Sequence, residues 1–188
     1  MNVVAFSTQE DGKWEHEQWV LPMRREDMEK DFEGWVDAVR NILSLMEKPD
    51  LWALFDLPPA DTYFKGRMCV LGDSAHASTP HNGAGAGQSV EDALVMATVL
   101  GMAKENGNVV KAFEAFDAVR RERSQKQVKK AREAGELYDL RAPGVEDDWD
   151  KVRECLSERQ KWLWEHNIED EVKRARRYMS DGLSQEGQ

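Results

Sequence analysis

Residues 72–88 read Gly72-Asp73-Ser74-Ala75-His76-Ala77-Ser78-Thr79-Pro80-His81-Asn82-Gly83-Ala84-Gly85-Ala86-Gly87-Gln88, and this stretch decides the fold. It is too rich in glycine and alanine to be ordinary packing. An apolar run, Met68-Cys69-Val70-Leu71, precedes it, and a helical pattern follows it. A buried strand ending in Gly-Asp, then a small-residue loop, then a helix start is a ligand-binding geometry. In open α/β sheets, ligands sit beyond the carboxyl ends of the strands. Asp73 would lie at such an end and could accept hydrogen bonds from sugar or polyol hydroxyls. Gly83, Gly85 and Gly87 would let a flat ligand approach the bare backbone. The helix start, near Gly87, would aim free amides and a positive dipole end at that ligand, which favours a delocalised anion. The alternative reading is a tight strand-to-helix turn whose small residues serve packing alone. No Lys-Ser/Thr follows the glycines, so the loop is not a phosphate loop of the Walker type.

Working outward, Gly66 opens the run Arg67–Leu71. It is apolar without alternation, which predicts a short strand of a parallel sheet covered on both faces. Gln88 to Met102 predicts a helix with Val90, Leu94, Ala97 and Leu100 turned inward. Asn106-Gly107-Asn108 breaks it. Val109 to about Leu137 predicts a long helix, apolar at Val110, Phe113 and Phe116 and basic from Arg120 to Arg132. Ala142-Pro143-Gly144 ends that region. A charged helical segment then runs from about Asp147 to Met179, interrupted near His166-Asn167, before a polar tail. Toward the N-terminus, Asn2–Phe6 and Lys13–Leu21 predict a hairpin about the turn Glu10-Asp11-Gly12. Arg25 to Met46 predicts a helix with Phe32, Trp35, Val36, Val39, Ile42 and Leu43 on one face. The fold class expected is α/β, with an N-terminal β-hairpin, one parallel strand and a helix-rich C-terminal half.

Composition limits the function classes. A net charge of −10 over 188 residues argues against a nucleic-acid partner. Two cysteines, Cys69 and Cys155, make no disulfide framework, which suits a reducing, cytoplasmic setting. Cys69 reads as a buried thiol. No apolar run approaches the roughly 18 residues of a membrane span, and no leader pattern is visible, so no membrane association is expected.

Residues 72–93, GDSAHASTPHNGAGAGQSVEDA, resemble the second flavin-contacting motif of the FAD-dependent aromatic hydroxylases, the single-component group that includes salicylate hydroxylase. The family pattern is Gly-Asp-Ala-Ala-His, then Pro-His, a glycine-rich loop and Glu-Asp-Ala. Here it stands as Gly72-Asp73-Ser74-Ala75-His76, Pro80-His81, the loop, and Glu91-Asp92-Ala93. Trp52–Asp56 with Pro58-Pro59, Arg120–Gln125 and Trp162–His166 resemble fungal salicylate hydroxylase-like proteins, so the likeness covers nearly the whole chain. The resemblance implies FAD as cofactor, NAD(P)H as reductant, and hydroxylation of a salicylate-like aromatic substrate with oxygen activated by the flavin. It implies that Gly72 and Asp73 meet the ribityl chain. Pro80, Gly83, Gly85, Ala86 and Gly87 would line the isoalloxazine ring, with the helix start facing its pyrimidine end.

The family begins with a βαβ unit carrying Gly-x-Gly-x-x-Gly, followed by a middle Asp-Gly motif. Neither is in these residues, whose early glycines are Gly12 and Gly34. The match therefore reads as the C-terminal part of such an enzyme. Residues 1–60 would be a remnant of the substrate-domain sheet with its helix, 61–105 the FAD-binding strand, loop and helix, and 106–188 a helical region. Unpaired strand edges then predict a homo-oligomer or a completing chain. The alternatives are a flavoprotein remnant without FAD catalysis, repurposed as a small cyclase or dehydratase, and an interaction module.

No catalytic residue is assigned. His76 and His81 are acid/base candidates, though loop histidines often only bond backbone. Glu91 and Asp92 read as first-turn acids that stabilise the helix dipole. The basic run from Arg120 reads as a solvated face paired with Glu146-Asp147-Asp148. Trp149, Trp162 and Trp164 read as packing anchors. The cysteines and histidines have no metal-ligand spacing, and no Gly-x-Ser-x-Gly marks a serine nucleophile.

Overall fold

The computed structural model describes residues 3–8 and 12–181. The chain divides into two compact units, Met1–Leu54 and Phe55–Gln188.

In the first unit, β1 (Val20–Pro22) pairs antiparallel with β2 (Asp50–Trp52), placing Leu21 opposite Leu51. Among the described residues the expected N-terminal hairpin does not form. Described residues 3–8 and 12–18 carry no strand, and its turn residues Glu10 and Asp11 lie outside the described residues. An isolated hairpin buries too little to hold itself together, so the strand at Val20 pairs with a segment far along the chain instead. The expected helix from Arg25 to Met46 is two: α1 (Arg25–Asp31) and α2 (Asp37–Leu43). Gly34 sits between them in the left-handed region at φ +85°, a conformation that ends a helix. Met28, Phe32 and Leu43 form the small core, flanked by Met23, Val39 and Met46. Trp35 and Val36 fall in the break and are exposed.

In the second unit, β3 (Phe64–Lys65) and β4 (Met68–Cys69) form a tight antiparallel hairpin about Gly66, which has φ +59°. This corrects the expected parallel strand. Glycine at the first position of a two-residue loop turns the chain straight back. A parallel partner would instead need a crossover of about a dozen residues or more, and none is present among the described residues. After β4 come α3 (Asp73–His76), a 3-10 turn (Pro80–Asn82) and α4 (Gly85–Asn106). Gly107, at φ +76°, closes α4. Asn108 then caps α5 (Val109–Tyr138) by accepting from the Lys111 amide at 3.0 Å. Three further helices follow: α6 (Trp149–Glu158), α7 (Lys161–Trp164) and α8 (Ile168–Asp181).

Helices α4, α5 and α8 enclose the main core, built from Val95, Met96, Val99, Phe116, Ala175 and Met179 with Tyr63 against them. The inward face of α4 is not the expected one. Gln88, Asp92, Val95, Met96, Val99 and Ala103 point in, whereas Val90 is 69% and Leu94 46% exposed, and Ala97 and Leu100 also face out. Both stripes have helical spacing. The buried one looks polar in sequence because two of its members belong to a hydrogen-bonded network rather than to apolar packing.

Candidate functional site

The glycine loop has an anchored underside and a bare outer rim. At its start, Gly72 adopts φ +59°, ψ −143°, a conformation close to glycine-only. A Cβ there would lie 3.0 Å from Ser89 Oγ. The Gly72 amide donates to Asp92 Oδ2 at 2.9 Å, and His76 Nε2 meets the same oxygen at 2.7 Å. Within α3, Ala75 and His76 are buried, and Asp73, the first residue of that turn, is exposed. His76 is thus a buried partner of Asp92.

Asp92 is held in turn by Arg120, which is 0% exposed. Arg120 Nε donates to Asp92 Oδ1 at 2.8 Å, and Nη1 donates to Glu91 Oε2 and Glu171 Oε2, both at 2.6 Å. Nη2 donates to the Gln88 carbonyl at 3.2 Å and to Gln88 Oε1 at 3.0 Å. Arg123 completes the cluster with Nε and Nη2 on the Glu91 carboxylate at 2.8 and 2.9 Å. Burial works against charge on Asp92. Hydrogen bonds from His76, Gly72 and Arg120, with the guanidinium charge beside it, outweigh that and hold its pKa below the usual carboxylate value. Glu91 is shifted the same way, its burial outweighed by Arg123 and Arg120.

Several expectations change here. Helix α4 starts at Gly85 and has no acidic residue in its first turn. Glu91 and Asp92 are therefore ion-pair acids rather than dipole stabilisers, since the dipole effect fades beyond the first turn. The basic run is only in part the solvated face expected: Lys126, Lys129 and Arg132 are exposed, and its ion pairs run to acids other than Glu146–Asp148. Arg120 and Arg123 are buried in this cluster, Arg121 pairs with Asp117, and Arg132 pairs with Asp56. Trp149 and Trp164 are exposed, and Trp162 lies under Arg123 and Lys126 with their charges 5.3 and 4.5 Å from its ring centre. Ligand atoms of Glu91, His166 and Glu171 come within 4.8 Å of one another. Both carboxylates already bind Arg120, so a guanidinium holds the position a cation would take. Cys69 is half-buried, and burial, reinforced by Asp117 and Asp92, pushes its thiol up to about 11. It therefore stays protonated and unreactive near neutral pH.

The far end of the loop rests on α5. The His81 ring packs on Gly135, where a Cβ would lie 3.1 Å from its Cε1, and beside Tyr138. Asn82 is buried, donating to Gln127 Oε1 at 3.3 Å and accepting from Arg159. Gly83 then takes the left-handed conformation at φ +62°.

The rim carries most of the residues that sequence singled out. Asp73, Pro80, Gly83, Ala86 and Gly87 are exposed, Gly85 is half-buried, and Gly72 lies in the underside. The first backbone hydrogen bond of α4 runs from the Gln88 amide to the Ala84 carbonyl. The amides of Gly85, Ala86 and Gly87 therefore have no carbonyl within the helix, and no side chain caps the helix. A Cβ at Gly87 would meet nothing within 4 Å, and one at Gly85 only Ser78 Oγ at 3.5 Å. Nothing in this fold therefore requires glycine at position 87. Glycine there costs helix stability, roughly up to 1 kcal/mol against alanine. A bare helix start with three free amides is a cradle for a flat, electron-rich group, and the loop fits the flavin ring in this respect. Two depressions lie elsewhere. One, of about 500 Å³, lies between α1 and α2 among charged side chains such as Glu26, Glu29, Lys30 and Arg40. The other, of about 240 Å³, is beside Trp162.

Residues 57–131 match the family model of the FAD binding domain. Salicylate hydroxylase of Pseudomonas putida is 41% identical over 181 residues, covering 94% of this chain and 41% of that protein. A 6-methylsalicylate 1-monooxygenase of Aspergillus terreus, atA, is 35% identical over 181 residues, covering 96% of this chain and 40% of the relative. In structure, the chain resembles salicylate hydroxylase in its substrate complex with a TM-score of 0.80 at 41% identity, over 87% of this chain and 40% of that one. CtdE, solved with FAD and a substrate, shares the fold at 20% identity, with a TM-score of 0.70 over 92% of this chain and 42% of that one. The chain thus spans about two fifths of the length of the relatives it matches. No helix among the described residues is long and apolar enough to cross a membrane. The loop, the fold around it and these likenesses agree: this chain belongs, as a part of their length, to the salicylate hydroxylase-like FAD-dependent monooxygenases.

Proposed function

We propose that this chain supplies the flavin-facing loop of a monooxygenase that hydroxylates a salicylate-like aromatic, with NAD(P)H as reductant. The observation that carries the reading is the rim at Gly85–Gly87: three amides without helical acceptors, with open space where the Gly87 side chain would be. In this reading, the exposed Asp73 carboxylate accepts hydrogen bonds from a polyol chain. Pro80 and Gly83 lie along the ring. The α4 amides stabilise negative charge at the ring edge, through fixed dipoles that need no reorganisation when the charge appears. FAD supplies the redox chemistry when bound, and the protein orients it and excludes water.

A completing polypeptide, or a second copy, belongs to the same reading. Val90 and Leu94 on α4 are exposed, as are Met68, Val70 and Leu71, and exposed apolar side chains of this kind suit coverage by further sheet. The same side chains favour an interaction module as the second reading.

Fluorescence titration of FAD distinguishes the two. The chain alone binds FAD weakly or not at all. Co-expression with the N-terminal three fifths of the Pseudomonas putida relative produces tighter binding, which Asp73→Ala and Gly87→Val both weaken. Equal affinity in wild type and both variants refutes the flavin assignment and leaves the interaction reading.

A further inference from the structure

Arg120 supports both ends of the glycine loop, one end through Asp92 of α4 and the other directly. Through Asp92 it holds the Gly72 amide, one residue before Asp73. Directly, its Nη2 holds the carbonyl and side chain of Gln88, one residue after Gly87. A guanidinium has five N–H donors in a rigid fork. Here all five have acceptors: Asp92, Glu91, Glu171, and Gln88 twice. The charges balance as well. Arg120, Arg123 and Arg174 face Glu91, Asp92 and Glu171, with Arg174 lying 3.6 Å from Glu171. His76 and His166 adjoin the same cluster on opposite sides, at Asp92 and Glu171. Glu171 comes from α8, 51 residues after Arg120.

Resting on the flavin reading above, we propose that Asp92 and Arg120 are positioning residues. Together they set the spacing between Asp73 and the Gly85–Gly87 amides, and Glu171 makes the C-terminal helix part of the support of the cofactor site. The two ligand-gripping segments sit on separate short elements, α3 and the start of α4, joined by an irregular loop. Nothing in local helix geometry fixes one against the other. Asp92, a residue of α4, does so by binding the Gly72 amide and His76, and Arg120 holds that carboxylate and Gln88 in place, with the α8 carboxylate of Glu171 among its acceptors. Lysine could not substitute: it has three donors on a point charge and cannot reach five acceptors in one plane.

The test uses backbone amide exchange on the 188-residue chain. Asp92→Asn, Arg120→Lys and Glu171→Gln are compared with Ser180→Ala, a control on the exposed side of α8. Asp92→Asn speeds exchange at Gly72–His76 by about tenfold or more, while core amides at Val95, Val99 and Phe116 stay within about twofold. Arg120→Lys loosens both loop ends, including Gln88. Glu171→Gln does the same to a smaller extent, although the residue touches neither end. In the complemented complex, FAD affinity falls in the same order, and Ser180→Ala leaves it unchanged. Unchanged loop exchange in all three variants overturns the proposal. So does a uniform rise across the α4, α5 and α8 core, which marks a purely structural cluster. If Arg120→Lys does not fold, the other two variants decide. Failure of the wild-type complemented complex to bind FAD counts against the flavin reading alone, since the exchange measurement needs no flavin.

Discussion

The underside and the rim of the glycine loop lie within a few residues of each other and follow opposite rules. Beneath, every polar atom of Arg120 is matched, and Gly72 is glycine because its backbone and Ser89 leave no other choice. Above, Gly87 faces open space and the first amides of α4 lack helical partners. The underside is arranged for the fold, and the rim gives up a little stability without a return inside these residues. Substitutions should therefore separate cleanly, with large losses of stability and secondary losses of ligand below, and small or even favourable stability changes with direct ligand loss above.

The largest effect is expected at Arg120. Replacing it with methionine leaves Asp92 and Glu171 buried without their cation, which costs roughly 3–5 kcal/mol. Urea unfolding of the second unit should shift accordingly, whereas Asp73→Ala on the rim should leave the midpoint unmoved. A loss below about 1 kcal/mol for Arg120→Met would mean that water reaches the cluster and that the underside is no more rigid than the rim.

Gly72→Ala comes next. The left-handed backbone with extended ψ costs a non-glycine residue about 1–3 kcal/mol, and Ser89 must also move away from the new methyl group. Gly83→Ala carries the left-handed penalty without a steric neighbour and should cost less, roughly 1 kcal/mol. Equal costs at the two positions would remove the distinction drawn for Gly72.

The comparison also explains what could be read from sequence. The loop, its helix and the breaks at Gly107 and near His166 were legible because glycine spacing and helical period are local signals. The inward face of α4 was not. Hydrophobicity favours Val90 and Leu94, and nothing local reveals that Gln88 and Asp92 are buried against an arginine 28 residues beyond Asp92. The same long-range pairing hid the role of Arg120 inside a run of basic residues and that of Glu171 inside an acidic helix start. A guanidinium buried by tertiary contacts looks like any surface arginine in sequence. The β4 segment failed for a related reason: an apolar run specifies burial, but Gly66 decides which partner the strand finds.

Acid should act on the underside first. The folded-state pKa values of Asp92 and Glu91 lie below their ordinary values. Their contribution is therefore complete above the unfolded carboxylate range and is lost as pH falls through the lower folded values. Thermal stability of the second unit should hold steady from neutral pH to about pH 5 and decline below about pH 4. Asp92→Asn, already less stable, should show a shallower decline. An equally steep decline in that variant would assign acid sensitivity to other carboxylates.

The smallest stability effect belongs to Gly87, and it separates rim from underside most sharply. Alanine there meets nothing within 4 Å, and the position takes no left-handed φ. Helix propensity favours the replacement by a few tenths to about 1 kcal/mol, with the lower figure expected so near the helix start. The melting temperature should therefore rise slightly or stay constant. In the complemented complex, the same methyl group stands where a flat ring would approach the backbone, so FAD affinity should fall, and more for Gly87→Val than for Gly87→Ala. A stability gain with unchanged affinity would show that the ring does not approach the first turn of α4. A stability loss would show that Gly87 serves the fold after all, and that the rim follows the rules of the underside.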